Sequence, residues 1–379
     1  MASVLRSWKP LLTTLFRQLS GHQLQIANAS RLQRCASSLT SHQITYNKFG
    51  DPRQVLEKTE VQLQTSVQKH EVLIKMLMAP VNPSDINMIE GTYFIRPPLP
   101  AVVGNEGVGE IIGKGSSVSD LDIGDWVIPA DSGWGTWRSY AVAPRSTVFK
   151  VANDIPVVSA ATLLVNPPTA YRMLKDYVDL NPGDIVIQNG ANSAVGQCVI
   201  QLAKHWNITT INMVRDRSDI DQLIHYLRDL GADHVVSETF CRSPEMKDFM
   251  KSLPSQPKLG LNCVGGSSST EMLRHLGQGA KMITYGGMSR KPIVVPTGAL
   301  LFKEIKLEGY WNTEWNKRNR DSQVRDEMYQ SICQLIRDKH FKNPVSDNIP
   351  LELYDRAVAE SLESFKGTKK ILVMDKNLL

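Results

Sequence analysis

The chain has 379 residues, 42% of them hydrophobic and 21% charged, with a formal net charge of +5. At about 150 residues per domain that length suggests two domains, each able to bury a core, and an ordinary content of 25 Gly and 20 Pro excludes collagen-like and low-complexity chains. No apolar run reaches the roughly 18 residues that a membrane-spanning helix requires, and scattered Cys35, Cys198, Cys241, Cys263 and Cys333, without C-x-x-C spacing, suggest neither a thiolate zinc cluster nor a disulfide framework but a reducing compartment.

Residues 1–40 hold Arg6, Lys9, Arg17, Arg31 and Arg34 and no acid; the first acidic residue is Asp51. Without those five cations the remaining Lys and Arg balance the Asp and Glu, so the body of the chain lacks the basic footprint of a nucleic-acid binder. Apolar Leu5, Trp8, Leu11, Leu12, Leu15 and Phe16 lie between the cations, and residues 1–39 read as a mitochondrial transit peptide, which places the protein in the matrix. Lys9 and Arg17 interrupt the apolar stretch and disfavour a secretory signal; an amphipathic arm that stays on is the alternative. The folded body is expected to begin between Ser37 and Thr45.

From Ile44 to about Lys150, short apolar runs at 72–76, 101–103, 107–112 and 125–128 alternate with Gly and Pro turns, as in a small β-barrel or sandwich. One helix is expected to open at Pro83-Ser84-Asp85, where a side-chain oxygen can cap the first unpaired amides. From Ile155 to about Leu307 strands alternate with longer amphipathic segments, the pattern of a parallel sheet wrapped by helices. Residues 351–374 read as a helix followed by a strand at Lys370-Ile371-Leu372-Val373.

Within the second region, Ile185-Val186-Ile187-Gln188 is a buried strand that leads into Asn189-Gly190-Ala191-Asn192-Ser193-Ala194-Val195-Gly196 and a helix expected from Gln197 to His205. Strand, small-residue turn and helix suit a dinucleotide pyrophosphate. Small residues admit the backbone, and the helix N-terminus offers unpaired N–H groups and a positive dipole end. The G-x-G-x-x-G string is incomplete, its three positions holding Ala191, Ser193 and Gly196, so a tight turn without a ligand is the bland alternative. The strand at 209–214 ends at Arg215-Asp216-Arg217, where such folds keep an acid for ribose hydroxyls or an arginine for a 2′-phosphate. Two guanidiniums flanking one acid favour the phosphate, hence NADPH over NADH, against a merely solvated turn.

This order, barrel then parallel sheet, resembles the medium-chain dehydrogenase/reductase superfamily: an α/β protein with a GroES-like β-barrel catalytic domain and a Rossmann doubly wound sheet. Where zinc-dependent members carry Gly-His-Glu, this sequence reads Gly104-Asn105-Glu106-Gly107, and no histidine occurs between His70 and His205, so no metal site is expected. Narrower strings are Asn82-Pro83-Ser84-Asp85, Glu90-Gly91-Thr92-Tyr93, Val165-Asn166-Pro167-Pro168-Thr169-Ala170-Tyr171, residues 189–196, Arg215-Asp216-Arg217 and Tyr285-Gly286-Gly287-Met288. Together they resemble the mitochondrial 2-enoyl thioester reductases of fatty acid synthesis, within the quinone oxidoreductase-like branch.

The resemblance implies NADPH-dependent reduction of trans-2-enoyl thioesters, with hydride to Cβ and a proton to Cα. It assigns Asn166, Asn192, Ser193, Ala194 and Val195 to the cofactor, Arg215 and Arg217 to its 2′-phosphate with Asp216 between them, and Tyr285, Gly286, Gly287 and Met288 to the nicotinamide edge. Tyr310, Trp311 and Asn312 would flank the nicotinamide or acyl site, and Lys369 would be the C-terminal cofactor contact, with a one-residue slip to Lys370 left open. Tyr93 would supply the proton, since a phenol with a reference pKa near about 10 stays protonated at neutral pH. Glu106 and Trp137 are read as structural. Competing readings are an NADPH-dependent quinone reductase and a non-catalytic nucleotide-binding module. The expected domains are residues 40–158 with 318–379 for the barrel and 159–317 for the Rossmann unit. The acyl group would ride on mitochondrial acyl carrier protein. Lys317, Arg318 and Arg320 could dock that acidic carrier, though a solvated face is the favoured reading. The alternating 304–308 segment reads as a sheet-edge strand whose pairing across a two-fold axis would make a homodimer.

Overall fold

The computed structural model describes residues 38–363 and 367–379. Nearly all of the expected transit peptide, with Cys35, lies outside those residues, but Ser38 and Leu39 already belong to the first strand, one residue past the start of the expected window. That strand, β1 (Ser38–Tyr46), runs antiparallel to β2 (Leu56–Gln64) in an unbroken register from Ser38 opposite Gln64 to Tyr46 opposite Leu56. The short β4 (Ala101–Val102) covers its other edge.

The barrel domain's larger sheet is built on β3 (Glu71–Pro80), a strand buried along nearly its whole length. β5 (Val108–Lys114), β6 (Trp126–Pro129) and β8 (Val148–Val151) follow on one side, β7 (Tyr140–Pro144) pairs with the start of β3, and two strands from the chain's end pair beyond its other end. Between β3 and β4 the expected helix forms at Pro83–Ile89. Asn82 is its N-cap and Pro83 its first residue, where a missing N–H costs nothing. The Asp85 carboxylate reaches back to accept the Asn82 N–H at 2.8 Å.

The second domain is a six-stranded, wholly parallel sheet of β9 (Ile185–Asn189), β10 (Thr209–Val214), β11 (His234–Ser237), β12 (Leu259–Asn262), β13 (Lys281–Thr284) and β14 (Lys306–Gly309) in the order β11-β10-β9-β12-β13-β14. The chain steps outward from β9 in one direction, returns, and steps the other way from β12. The strand order therefore reverses between β9 and β12, the switch point at whose carboxyl ends sheets of this kind form their ligand crevice. The β14 edge is the strand expected at 304–308, shifted two residues later.

A single apolar body joins the two domains. Leu77, Met78, Val108 and Ile128 of the barrel pack into the same cluster as Val199 and Leu202 of the helix Ala194–His205, and Met173 of the helix Asn166–Asp176. Met328, Ile332 and Ile336 of the helix Gln323–Arg337 complete it. The chain then closes the barrel with β15 (Ser346–Pro350), the helix Tyr354–Leu362 and β16 (Lys369–Val373), which lies antiparallel to the end of β3.

Candidate active site

The turn after β9 is shaped by two glycines. Gly190 sits at φ +59°, and a Cβ there would come within 2.6 Å of the Cys263 sulfur; a Cβ on Gly196 would lie 2.5 Å from the Ala191 carbonyl oxygen. The positions that demand glycine are therefore 190 and 196, while Ala191 and Ser193 demand none. Ser193 is instead the N-cap, its Oγ accepting the Gly196 N–H at 3.1 Å. The helix consequently starts at Ala194, three residues earlier than expected, and the first-turn amides of Ala194 and Val195 have no intrahelical acceptor.

Side chains at the carboxyl ends of the central strands lock this turn to its neighbours. Asn189 Nδ2 donates to Asn262 Oδ1 at 2.8 Å, while Asn189 Oδ1 accepts the Cys263 N–H at 2.9 Å. Asn262 accepts from Gly265 N and donates to Thr284 Oγ1. The composition of β12 gave no sign of this relay, although polar residues inside an otherwise buried parallel strand could have been such a signal. The relay also sets the segment after β13. Tyr285 donates its N–H to Asn262 O and Met288 its N–H to Cys263 O, both at 2.9 Å. Burial beside Cys263 pushes the Tyr285 phenol well up. Gly286 packs on Cys263, Gly287 is open, and the Met288 side chain is largely exposed.

At the crevice's outer rim, Arg215 is exposed after β10, while Arg217 forms an ion pair with Asp219. Asp216, between the two arginines in sequence, is engaged from another element. Its carboxylate accepts both the N–H and Oγ1 of Thr239, at 3.1 and 2.9 Å, tying the β10 loop to the one after β11.

Toward the barrel, Tyr310 donates its hydroxyl to Asn312 Oδ1 at 3.0 Å, and Asn312 Nδ2 donates to the Leu164 carbonyl at 3.0 Å. Between them Trp311 points the other way: its Nε1 donates to the Tyr93 hydroxyl oxygen at 3.0 Å, and its ring meets Tyr93 and Phe94 edge-on. Tyr93 lies on the loop after the Pro83 helix, where the Thr92 and Tyr93 N–H groups both return to the Asn87 carbonyl. An ion pair of 3.0 Å between Glu90 and Arg290 joins this loop to the segment after β13.

Behind Tyr93 the two domains meet at a buried polar cluster. Glu106 is fully enclosed; its Oε1 accepts the Val165 N–H at 2.8 Å and its Oε2 accepts Asn82 Nδ2 at 2.7 Å. Asn82 Oδ1 in turn accepts from the Lys369 ammonium. Asp85 accepts the Asn105 N–H and Nδ2, and Asn105 Oδ1 accepts the Gly133 N–H. Burial pushes the Glu106 carboxyl up to about 7 and that of Asp85 to about 6, against the pull of Lys369, whose own ammonium burial pushes down. Lys370 points to the opposite face of β16, to Asp347 and Glu360, so Lys369 is the lysine on the cleft side. Asn166, the first residue of its helix, is buried with its Nδ2 lacking any partner. Trp137 is wholly buried in the barrel core. Arg318 pairs with Glu314 and Arg320 with Asp131. Among the described residues no group of three His, Cys, Asp or Glu is placed to hold a metal ion.

Residues 68–153 match the alcohol dehydrogenase GroES-like domain and residues 194–327 the zinc-binding dehydrogenase domain. A mitochondrial enoyl-[acyl-carrier-protein] reductase of Xenopus tropicalis is 52% identical over 89% of this chain and 97% of its own length. Among solved structures, an Etr1p/NADP/crotonyl-CoA complex superposes with a TM-score of 0.83 at 35% identity, over 88% of this chain and all of that one. The mitochondrial 2-enoyl thioester reductase Etr1p/Etr2p heterodimer of Candida tropicalis does so with a TM-score of 0.82, at the same identity and the same coverage of both chains.

Proposed function

The chain belongs to the mitochondrial enoyl-[acyl-carrier-protein] reductases and catalyses NADPH-dependent reduction of trans-2-enoyl thioesters; within that reaction we propose that Tyr93 protonates Cα and that the crevice between β9 and β12 holds the cofactor. One observation carries the Tyr93 role. An indole N–H can only donate, so the Trp311 contact at 3.0 Å makes the phenol oxygen an acceptor and leaves its own O–H directed elsewhere. As that proton leaves, the same N–H stabilises the phenolate oxygen, a charge-assisted bond that strengthens with the developing charge.

The residues around the crevice fit the cofactor. The unpaired amides at Ala194 and Val195 lie at a helix N-terminus, where a pyrophosphate is favoured. Arg215 and Arg217 stand after the next strand, where a 2′-phosphate lies in such sheets. The partnerless Asn166 Nδ2 is a buried donor that a ligand oxygen would satisfy. When bound, NADPH supplies the hydride for Cβ. Asn312, braced between Tyr310 and Leu164, holds the strand end that presents Trp311, and Lys369 places a cation on Asn82, under the electrostatic influence of Cys198 in the Ala194 helix. Tyr285 to Met288, held on Asn262 and Cys263 after β13, would face the nicotinamide.

The physiological acyl carrier is acyl carrier protein, and the protein is a homodimer paired through β14. That strand is a sheet edge, and Leu301, Phe302 and Leu307 beside it are exposed. Steady-state rates with crotonyl-CoA, crotonyl-acyl carrier protein and a quinone test the reading together with light scattering. The expected order of kcat/KM is the carrier-protein thioester, then the CoA thioester, then the quinone. A preference for the quinone would overturn the role of Tyr93, because a quinone needs no carbon protonation; a monomer mass at micromolar concentration would overturn the dimer.

A further inference from the structure

We infer that Glu106 is a positioning residue of the reductase: one buried carboxylate sets the start of the helix that leads to Tyr93 and the start of the helix that begins with Asn166. The inference rests on the roles given above to those two residues.

Three distant chain segments converge on this carboxylate. Through Val165 it holds the N-cap of the helix whose first residue is Asn166. Through Asn82 it holds the N-cap of the helix that ends at Ile89, just before the Tyr93 loop. Through Asn82 again it reaches Lys369 on the last strand. Both Glu106 oxygens accept here, one from Val165 and one from Asn82, which fixes which way the Asn82 amide faces. Nδ2 must point at Glu106, which turns Oδ1 toward the Lys369 ammonium. The Asn82 backbone is fixed independently by Asp85. The centre of this chain of contacts is closed to water: Asn82, Asp85, Asn105 and Glu106 are each at most 3% accessible, while Val165 and Lys369 at its ends are partly buried. Enclosing a carboxylate at such a depth is unfavourable for stability compared with an apolar side chain of similar volume. Its value lies in direction, because two N–H groups from the two domains must aim at the same pair of oxygens.

The partnerless Asn166 Nδ2 shows why that direction matters. The adjoining Val165 N–H ties the start of this helix to the barrel through Glu106. Loosening it lets Asn166 move relative to Lys369 and Tyr93, which the same cluster holds from the other side.

Glu106→Gln tests this with little change in volume. Its Oε1 can still accept from Val165, but its new N–H group faces the Asn82 N–H group. If Asn82 flips to relieve that, it faces the Lys369 ammonium instead. One mispaired buried bond changes an equilibrium by about tenfold. The expected result is an NADPH Kd, read by fluorescence titration, that rises about tenfold, and a kcat for crotonyl-CoA that falls by a similar factor with KM within about twofold. Asn82→Asp combined with Glu106→Gln moves the charge by one residue and restores every donor to an acceptor: the new Asp accepts from Lys369 and from the Gln amide, and the Gln oxygen accepts from Val165. That double variant should recover most of both losses, whereas Asn82→Asp alone, with two carboxylates in contact, should lose NADPH affinity and kcat. If Glu106→Gln fails to fold, the comparison of Asn82→Asp with the double variant still decides, since adding Glu106→Gln must then improve function. Wild-type Kd and kcat in Glu106→Gln, or a double variant no better than Asn82→Asp, overturns the inference. A Tyr93→Phe enzyme with full turnover, or an Asn166→Ala enzyme with unchanged NADPH Kd, would overturn the roles it rests on while leaving the result of the Asn82 and Glu106 exchange readable in NADPH affinity.

Discussion

On the parallel-sheet side of the cleft the proposed pyrophosphate cradle is one contiguous turn, 190–196, whose backbone amides are aimed by Ser193 and two glycines. On the barrel side Tyr93, Trp311, Asn82, Glu106 and Lys369 come from separate stretches of chain and act through side-chain atoms, each with one geometry that satisfies its partner. The difference predicts two kinds of fragility. The backbone cradle should tolerate changes of side chain so long as the glycines and the cap remain, with affinity set mainly by the charges on its rim. The barrel side should respond to the loss of a single oxygen or N–H, in turnover at Tyr93 and Trp311 and in both turnover and NADPH affinity at the Asn82–Glu106 contact.

The largest effect tests the barrel side. Tyr93→Phe keeps the ring and its edge contact with Trp311 but removes the donor, and kcat for crotonyl-CoA should fall by about 10²–10⁴. NADPH Kd and Tm should stay unchanged, and quinone reduction should suffer far less. Retained enoyl turnover would break the comparison, since the proton would then come from elsewhere. Next in size is the cradle's rim. Arg215→Ala should weaken NADPH by roughly 10- to 150-fold, the worth of a lost charge-assisted contact, and leave NADH nearly unaffected. Equal losses for both cofactors in a binding titration would mean that Arg215 supports the fold and does not read the phosphate.

A smaller change separates position from chemistry. Trp311→Phe removes the N–H that faces Tyr93 together with part of the ring packed on Tyr93 and Phe94, and the lost neutral hydrogen bond alone corresponds to about a 2- to 12-fold loss in kcat. NADPH affinity should not follow it, and a loss confined to affinity would move Trp311 to the cofactor side of the comparison. The smallest effect belongs to the exposed bridge between the two sides. Arg290→Ala breaks the ion pair with Glu90, and exposed pairs of this kind change an equilibrium by at most about fivefold. KM for the enoyl thioester should rise within that limit, and the difference from wild type should vanish at high salt, where such pairs are screened.

Much of the cradle was readable from its residues because its causes are local. A strand of Ile and Val, a turn of small residues and a helix after it lie within about two turns of one another in sequence, and their geometry follows from φ preferences, capping and the helix dipole. Even so, aligning the turn on Ala191, Ser193 and Gly196 overlooks Gly190, and the helix begins at Ala194, before the Gln197 start that the pattern suggests. Ser193 could have been read as a cap, since its hydroxyl lies three residues before the Gly196 amide that it accepts. Asp216 was read from its place between two arginines, and only the approach of the β11 loop revealed that Thr239 engages its carboxylate.

The sequence by itself determined the succession of barrel, parallel sheet and returning barrel segments and the strand–turn–helix at 185–205, because hydrophobic period and turn chemistry are properties of neighbouring residues. Tertiary structure alone decided which distant groups meet. Alternation along β16 requires Lys369 and Lys370 to face opposite ways, but only the pairing of β16 with β3 turns Lys369 toward Asn82 and the cleft. Glu106 lies 59 residues from the Val165 amide that it accepts, and Tyr93 lies 218 residues from Trp311. Contacts over such separations are set by how the two domains pack around their shared core. No local preference encodes the direction in which a buried carboxylate or an indole N–H will find its partner.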